Sequence, residues 1–181
     1  MVLFQCILMK VRWLIFGLSM MIGHDAFGLT NLFTNNGGDE SWSNTANWSL
    51  GVIPDATHDV TVAIGVLLRM PNGTNAIARS VTLSGNVEMI ITIDATLEIV
   101  EYIHIYSGAE LTNRGNVTLL AGCEGIDVST GGILLNNDTI YIHSPDIGID
   151  FRSGTITNNE LISIEGTNQY GVFMPQAASF P

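Results

Sequence analysis

The sequence predicts an all-β fold, a parallel β-helix (β-solenoid) of about 22–23 residues per turn with an N-terminal tryptophan-rich cap. The first observation is a repeat, in which three copies of one pattern of apolar residues and asparagine follow each other. The copies are Leu111–Leu119, Leu134–Ile142 and Ile156–Ile164. The second observation is the short alternation of apolar and polar residues, which is typical of strands with one buried face. The third is that no helical pattern follows residue 28.

The first 28 residues predict a secretory signal peptide rather than part of the fold. Lys10 and Arg12 form a positively charged start, Trp13–Ile22 is an apolar segment, and Ala26 and Gly28 supply the small residues of a cleavage site. The apolar run is shorter than the ~20 residues that cross a bilayer, so we expect no membrane span after cleavage. An uncleaved N-terminal anchor is the alternative. The chain is therefore expected to be exported, either secreted or held at the cell surface.

The remaining chain is acidic and contains one cysteine. Removal of residues 1–28 leaves four arginines, no lysine and sixteen acidic residues, a net charge of −12. Such a surface repels nucleic acid and anionic lipid, so neither is an expected partner. Cys123 has no cysteine to pair with and no neighbouring base to activate it, which argues against a catalytic thiol.

Residues 29–64 predict a polar lead-in segment and a tryptophan-rich cap. Trp42 and Trp48 are the only tryptophans after residue 28, and Pro54 follows them closely. A solenoid needs an atypical terminal unit to cover its open apolar end, which favours a capping role. Paired tryptophans also bind sugar rings, so carbohydrate contact is the alternative.

Residues 65–181 predict the coil, interpreted as truncated at its C-terminus. Three apolar columns recur at intervals of 22 or 23 residues in the regular turns. The first contains Val81, Ile103, Ile126, Ile149 and Val172; the second contains Met89, Leu111, Leu134 and Ile156; the third contains Leu97, Val117, Ile140 and Ile162. Three short strands per turn then make a triangular coil of roughly five turns. The run Ile91–Ile93 is interpreted as one of these strands.

Asparagines and the last repeat predict two further features. Asn113, Asn136 and Asn158 recur at one position, where their amides can bond to each other and where asparagine tolerates a left-handed backbone at a corner. We therefore expect an asparagine ladder. No polar cap follows the last triplet, Val172–Met174, so an exposed strand edge and end-to-end self-association are expected.

The N-terminal motif resembles the opening of large bacterial β-helix proteins that are secreted or displayed at the cell surface, common in Bacteroidetes and among autotransporter-like adhesins. The residues that carry the resemblance are Trp42, Asn47, Trp48, Gly51, Pro54, Asp59 and Val60–Val62. Ala78–Leu83 and Ala95–Ile99 resemble the first turns of the same family, and the similarity covers most of residues 39–174. The resemblance implies a structural or adhesive role.

One outward row carries the only candidate site residues. The middle residues of the first-column triplets include His104, Asp127 and Asp150, which a parallel coil would stack at about 4.8 Å per step. Polysaccharide lyases and hydrolases with this fold carry acidic residues on such a face, and two nearby carboxylates suit a retaining glycosidase or weak Ca²⁺ binding. The row contains no arginine or lysine and no long insertion walls a cleft. We therefore predict no catalytic residue, no metal site and no cofactor beyond weakly bound Ca²⁺.

The sequence thus predicts a structural or adhesion-type protein without catalysis. Its expected partner is an extracellular polysaccharide or a surface protein, which the sequence does not identify. The alternative is a carbohydrate-active β-helix enzyme, either a polysaccharide lyase or a glycoside hydrolase, or its truncated remnant.

Overall fold

The computed structural model describes residues 28–63, 65–143, 146–166 and 169–173, so the predicted signal peptide lies outside the described residues except for Gly28. Within them the chain forms fifteen strands and one short 3-10 helix, Thr45–Asn47. The strands are β1 Leu29–Leu32, β2 His58–Ala63, β3 Leu67–Met70, β4 Asn75–Ser84, β5 Glu88–Ile91, β6 Thr96–Ile105, β7 Glu110–Asn113, β8 Asn116–Leu119, β9 Gly125–Val128, β10 Ile133–Asn136, β11 Thr139–His143, β12 Ile147–Phe151, β13 Thr155–Asn158, β14 Leu161–Glu165 and β15 Tyr170–Phe173. No helix in this part of the chain is long and apolar enough to span a bilayer.

The strands form a parallel β-solenoid of about five turns, as predicted, with three faces around one core. Face A contains β3, β5, β7, β10 and β13. Face B contains the first halves of β4 and β6, followed by β8, β11 and β14. Face C contains β1, β2, the second halves of β4 and β6, and then β9, β12 and β15. Every pairing between these strands is parallel.

The three predicted apolar columns are confirmed, because the members of each column pair in register from turn to turn. In the first column Ile103, Ile126 and Ile149 are only 0%, 1% and 3% exposed. Burial of each such side chain contributes about 1.5–3 kcal/mol. The column spacing of the sequence therefore fixes both the length of a turn and the residues that fill the core.

The run Ile91–Ile93, predicted as a strand, is instead the end of a strand and the start of a turn. β5 ends at Ile91, and the Ala95 amide donates to the Thr92 carbonyl at 3.1 Å. Asp94 closes this turn with a φ of +62°, a left-handed conformation that an aspartate tolerates. Ile93 is consequently 60% exposed, so apolar alternation alone does not distinguish a strand from a corner.

In the early turns a single long strand contributes to both face B and face C, whereas the prediction had a separate strand for each face. β4 and β6 are ten residues long and bend from one face to the next, and a register shift between Ala78 and Ser80 marks the bend. Arg79 stands at this bend. Its guanidinium lies 2.9 Å from Asp59 on the preceding turn and 2.7 Å from Glu101 on the following turn. The bend is thus held by one cation shared between three turns.

The predicted asparagine ladder is present along face A. Asn113 Nδ2 donates to Asn136 Oδ1 at 2.8 Å, and Asn136 Nδ2 donates to Asn158 Oδ1 at 2.7 Å. Each amide also donates to a main-chain carbonyl of the following turn, Thr139 and Leu161 respectively, at 3.1 Å. None of the three asparagines adopts the left-handed backbone that asparagine tolerates, since none has a positive φ. Each is instead the last residue of an extended strand.

Both tryptophans of the N-terminal segment are buried. The Trp48 ring packs edge-on against Trp42 and Phe33, with ring centroids 5.0 and 5.2 Å away, and its Nε1 donates to the Trp42 carbonyl at 2.8 Å. Trp42 is 0% and Trp48 is 3% exposed, so neither indole offers a face on which a sugar could stack. This burial is what a cap over the first turn requires.

Candidate functional site

The three site residues predicted from the sequence lie together on the outer side of face C. Asp127, on β9, pairs in register with His104 on β6 and with Asp150 on β12. The residues on either side of each one point into the core, so alternation turns all three side chains outward. The side chains of Asp127 and Asp150 are nevertheless only 13% and 16% exposed. The predicted row is therefore present, while its role in binding remains a prediction.

Arg152 joins the two aspartates, and the sequence analysis missed it. Arg152 Nη2 lies 2.8 Å from Asp150 Oδ2 and 3.6 Å from Asp127 Oδ2, and Arg152 Nε donates to Asp150 Oδ2 at 2.9 Å. The hydrogen bond to Asp150 and the charge of Asp127 raise the pKa of Arg152. The sequence feature that could have revealed this contact is the two-residue spacing between Asp150 and Arg152, which places their side chains on one side of an extended chain. A cation thus stands beside the row, although the row itself contains none.

An aromatic cluster borders the row on β6. The His104 ring stacks on Tyr102, with centroids 4.1 Å apart and an interplanar angle of 20°. Tyr106, directly after β6, packs edge-on against the same ring, and its hydroxyl lies 3.3 Å from His104 Nδ1. Burial lowers the pKa of His104 from its usual 6.5, and the charges of Asp127 and Glu124 oppose that shift. Burial thus favours the neutral form of the His104 ring, which packs against two tyrosines.

The two aspartates differ in their hydrogen bonds. Asp127 Oδ1 accepts from the Ser129 hydroxyl at 2.9 Å. Asp150 Oδ1 is buried and has no hydrogen-bond partner among the described residues, while its Oδ2 accepts from Arg152. An unpartnered carboxylate oxygen costs free energy in a folded protein, so the Arg152 contact has to stabilise Asp150 by itself.

A shallow groove of about 300 Å³ runs beside the row across several turns. Its charged and titratable lining consists of His104, Glu124, Asp127, Asp146, Asp150 and Arg152. Gly125 forms part of the floor, where its φ of +97° and the close Ile147 carbonyl leave no space for a side chain. Four carboxylates face one guanidinium, so the groove favours neutral or cationic molecules over uronates.

The groove differs from a glycosidase centre in one respect. A retaining glycosidase needs two carboxyl groups that face each other across the scissile bond, about 5–5.5 Å apart. Here the guanidinium of Arg152 contacts both carboxylates, so it would have to move before a sugar could lie between them. No group of three or more His, Cys, Asp or Glu side chains in the described ranges is arranged to hold a metal ion.

Cys123 is not part of the groove lining, although it precedes Glu124 and Gly125, and it is 2% exposed. Burial raises the pKa of its thiol, and Sγ lies 3.8 Å from the His143 carbonyl oxygen. A buried thiol with a raised pKa is a poor nucleophile, so the structure gives Cys123 a packing role.

No protein-family model, curated protein or solved structure matches this chain. The function proposed below therefore rests on the fold and on the geometry of face C.

Proposed function

We propose that this protein is a secreted or surface-displayed bacterial β-solenoid with a structural, adhesion-type role and no catalytic activity. The observation that carries the proposal is the unbroken register of the three columns through all the described turns. Each turn is hydrogen-bonded to its neighbours on three faces, which makes a stiff rod with extended outer surfaces. The resemblance of the Trp42–Val62 motif to bacterial surface proteins supports the same role.

The outer surfaces support contact with an extracellular polysaccharide or a surface protein. Face C offers rings and carboxylates side by side, with Tyr106 39% exposed next to His104. Face B adds Tyr141, 38% exposed and stacked with His143 at 6.2 Å between centroids. Tyrosine provides a large contact area at low cost in conformational entropy, which suits recognition by a rigid surface.

Display of residues 29–181 on bacterial cells tests the proposal. Retention of the cells under flow is measured on immobilised neutral polysaccharide, chitosan and surface-protein extract. We expect the wild-type chain and Asp127→Asn to retain cells on at least one surface, because both keep the coil. Ile126→Asp, which places a carboxylate in the core, should lose retention. Retention no better than that of cells without the chain, on every surface, contradicts the proposal.

A carbohydrate-active enzyme is the second candidate, favoured by the carboxylates of the groove and the ring stack of Tyr102 and His104 beside them. Catalytic activity is measured as the release of reducing ends and of unsaturated products from pectin, alginate, xylan and chitosan. Catalysis at this site requires that Asp127→Asn and Asp150→Asn both abolish turnover while Glu98→Gln, on face B, does not. No turnover by the wild-type protein on any of these polymers counts against this candidate.

A further inference from the structure

The chain contains two asparagine–glycine pairs, and both lie in exposed loops. Asn36–Gly37 belongs to the N-terminal segment, and Asn72–Gly73 forms the corner between β3 and β4. In such a pair the main-chain nitrogen of the glycine can attack the side-chain amide carbon of the asparagine, because glycine has no side chain to obstruct the approach. The reactivity of each pair therefore depends on how the fold holds the glycine nitrogen.

Asn72 and Gly73 are the two central residues of a tight turn. The Thr74 amide donates to the Pro71 carbonyl at 3.1 Å, and Gly73 has a φ of +72°, which glycine adopts at no steric cost. Both central residues are exposed, and a Cβ placed on Gly73 would have no atom within 4 Å. In the described part of the chain, neither the Asn72 side chain nor the Gly73 amide has a hydrogen-bond partner. The two reacting groups are therefore accessible to each other and to water.

Asn36–Gly37 has the same two residues, but there the fold holds the glycine nitrogen. The Gly37 amide donates to Asn47 Oδ1 at 2.8 Å. Asn47 is fully buried, and its own Nδ2 donates to Asp39 Oδ1 at 2.6 Å. A Cβ placed on Gly37 would collide with the Asn44 side chain. The nitrogen would have to leave Asn47 before it could attack Asn36, so this pair is an internal control for the same chemistry.

We propose that Asn72 is a site of spontaneous modification, at which the folded chain converts asparagine to aspartate and isoaspartate. The Gly73 nitrogen bonds to the side-chain carbon of Asn72, and its proton passes through water to the side-chain nitrogen, which leaves as ammonia. The cyclic imide that results takes up one water molecule. Cleavage of its nitrogen from the side-chain carbon gives aspartate, whereas cleavage from the main-chain carbon gives isoaspartate. Water is the only other reactant.

The modification changes the charge and the length of this corner. The Thr96 amide donates to the Thr74 carbonyl at 2.8 Å, so Asp94 occupies on the next turn the position that Gly73 has here, with a φ of +62°. The new carboxylate therefore adds a second negative charge to a corner that already carries one. Isoaspartate also adds a methylene to the main chain of the turn. No core residue belongs to the turn, so we expect both products to keep the coil.

Incubation of the purified exported chain at two pH values, followed by trypsin digestion and mass spectrometry, tests the proposal. Asn72 falls in the peptide Met70–Arg79, and Asn36 falls in the peptide that ends at Arg69. We expect Asn72 to convert at least about tenfold faster than Asn36, since that factor corresponds to about 1.4 kcal/mol, close to the contribution of one hydrogen bond. The rate should rise with pH, because the deprotonated nitrogen is the nucleophile. An isoaspartate-specific methyltransferase identifies the isoaspartate.

The same measurement in urea separates the effect of the fold from that of the local sequence. In the unfolded chain neither glycine amide is held, so the two asparagines should convert at similar rates. Asn72→Gln is the matched variant, because it keeps an amide in the turn but requires a larger and slower ring closure; this position should then stay unmodified. Equal rates for Asn36 and Asn72 in the folded chain, or no conversion of Asn72, overturn the proposal. A tenfold difference that persists in urea overturns it as well.

Discussion

Replacing Asn136 with Ala should strongly destabilise the coil. Asn136 is fully buried, and its Oδ1 accepts a hydrogen bond from Asn113. Its Nδ2 lies 2.7–3.1 Å from three oxygens of its own and the next turn, which share its two hydrogens. Each such bond contributes about 1 kcal/mol net, and removing the amide leaves its partners without a replacement. We expect a loss of about 3–4 kcal/mol in the free energy of unfolding.

Two neighbouring positions give matched controls. Asn137 has the same side chain, but it accepts a single bond from Asn159 near the surface, so Asn137→Ala should cost about 0.5–1 kcal/mol. Asn136→Asp keeps the shape of the side chain but cannot donate to the carbonyls of Asp138 and Leu161. It should be at least as destabilising as Asn136→Ala at pH 7, because the carboxylate oxygens would face the carbonyl oxygens of the neighbouring residues and no hydrogen would lie between them.

Urea unfolding followed by circular dichroism measures all three variants at one pH. The expected order of stability is Asn137→Ala, then Asn136→Ala, with Asn136→Asp equal to or below it. If Asn136→Ala and Asn137→Ala have the same midpoint, the buried ladder does not stabilise the fold and the reasoning is wrong. The slope of the transition shows whether a variant changes the extent of unfolding rather than its free energy.

Three further predictions follow from other parts of the molecule. Ile126→Asp should unfold the neighbouring turns, while Asp127→Asn should change the melting temperature little. If thermal melts show that Asp127→Asn is the more destabilising of the two, the register is wrong. Stability should fall as pH drops below about 6.5, because His104 has a lowered pKa in the folded chain and binds a proton more readily in the unfolded chain. His104→Gln should lose this part of the pH dependence. If the urea midpoints of both proteins change with pH in the same way, His104 does not contribute to it. The exported chain should start near Leu29, and N-terminal sequencing that still finds residues 9–28 would remove the signal peptide prediction.

The coil could be predicted from the sequence because two independent sets of residues repeat with the same period, the apolar columns and the asparagines. Ile126 and Ile149 are 23 residues apart, and the structure pairs them in register. Once one pair was aligned, alternation placed Asp127 and Asp150 outside, so the candidate row followed from the same register. Long-range contacts are predictable here because they repeat.

Features without a repeat were missed. Arg152 occurs once, and no earlier turn carries a cation at its position, so the columns did not reveal its contact with the aspartates. Ile91–Ile93 has the alternation of a strand, but the left-handed Asp94 ends it, and one residue's backbone preference outweighs the apolar pattern. The stacking of His104 on Tyr102 depends on side-chain rotamers, which alternation does not specify.

The uniform register has a consequence for the order in which the molecule folds. Partners in the asparagine ladder are 23 and 22 residues apart, and most strand pairs join residues separated by a similar distance. Closing each turn therefore requires a loop of nearly constant length, whose entropic cost is almost the same at every step. No step awaits a distant part of the chain, so folding can start at any two adjacent turns and extend from there. A chain that emerges from its N-terminus can add one turn for roughly every 22 residues released, each on the template of the turn before it.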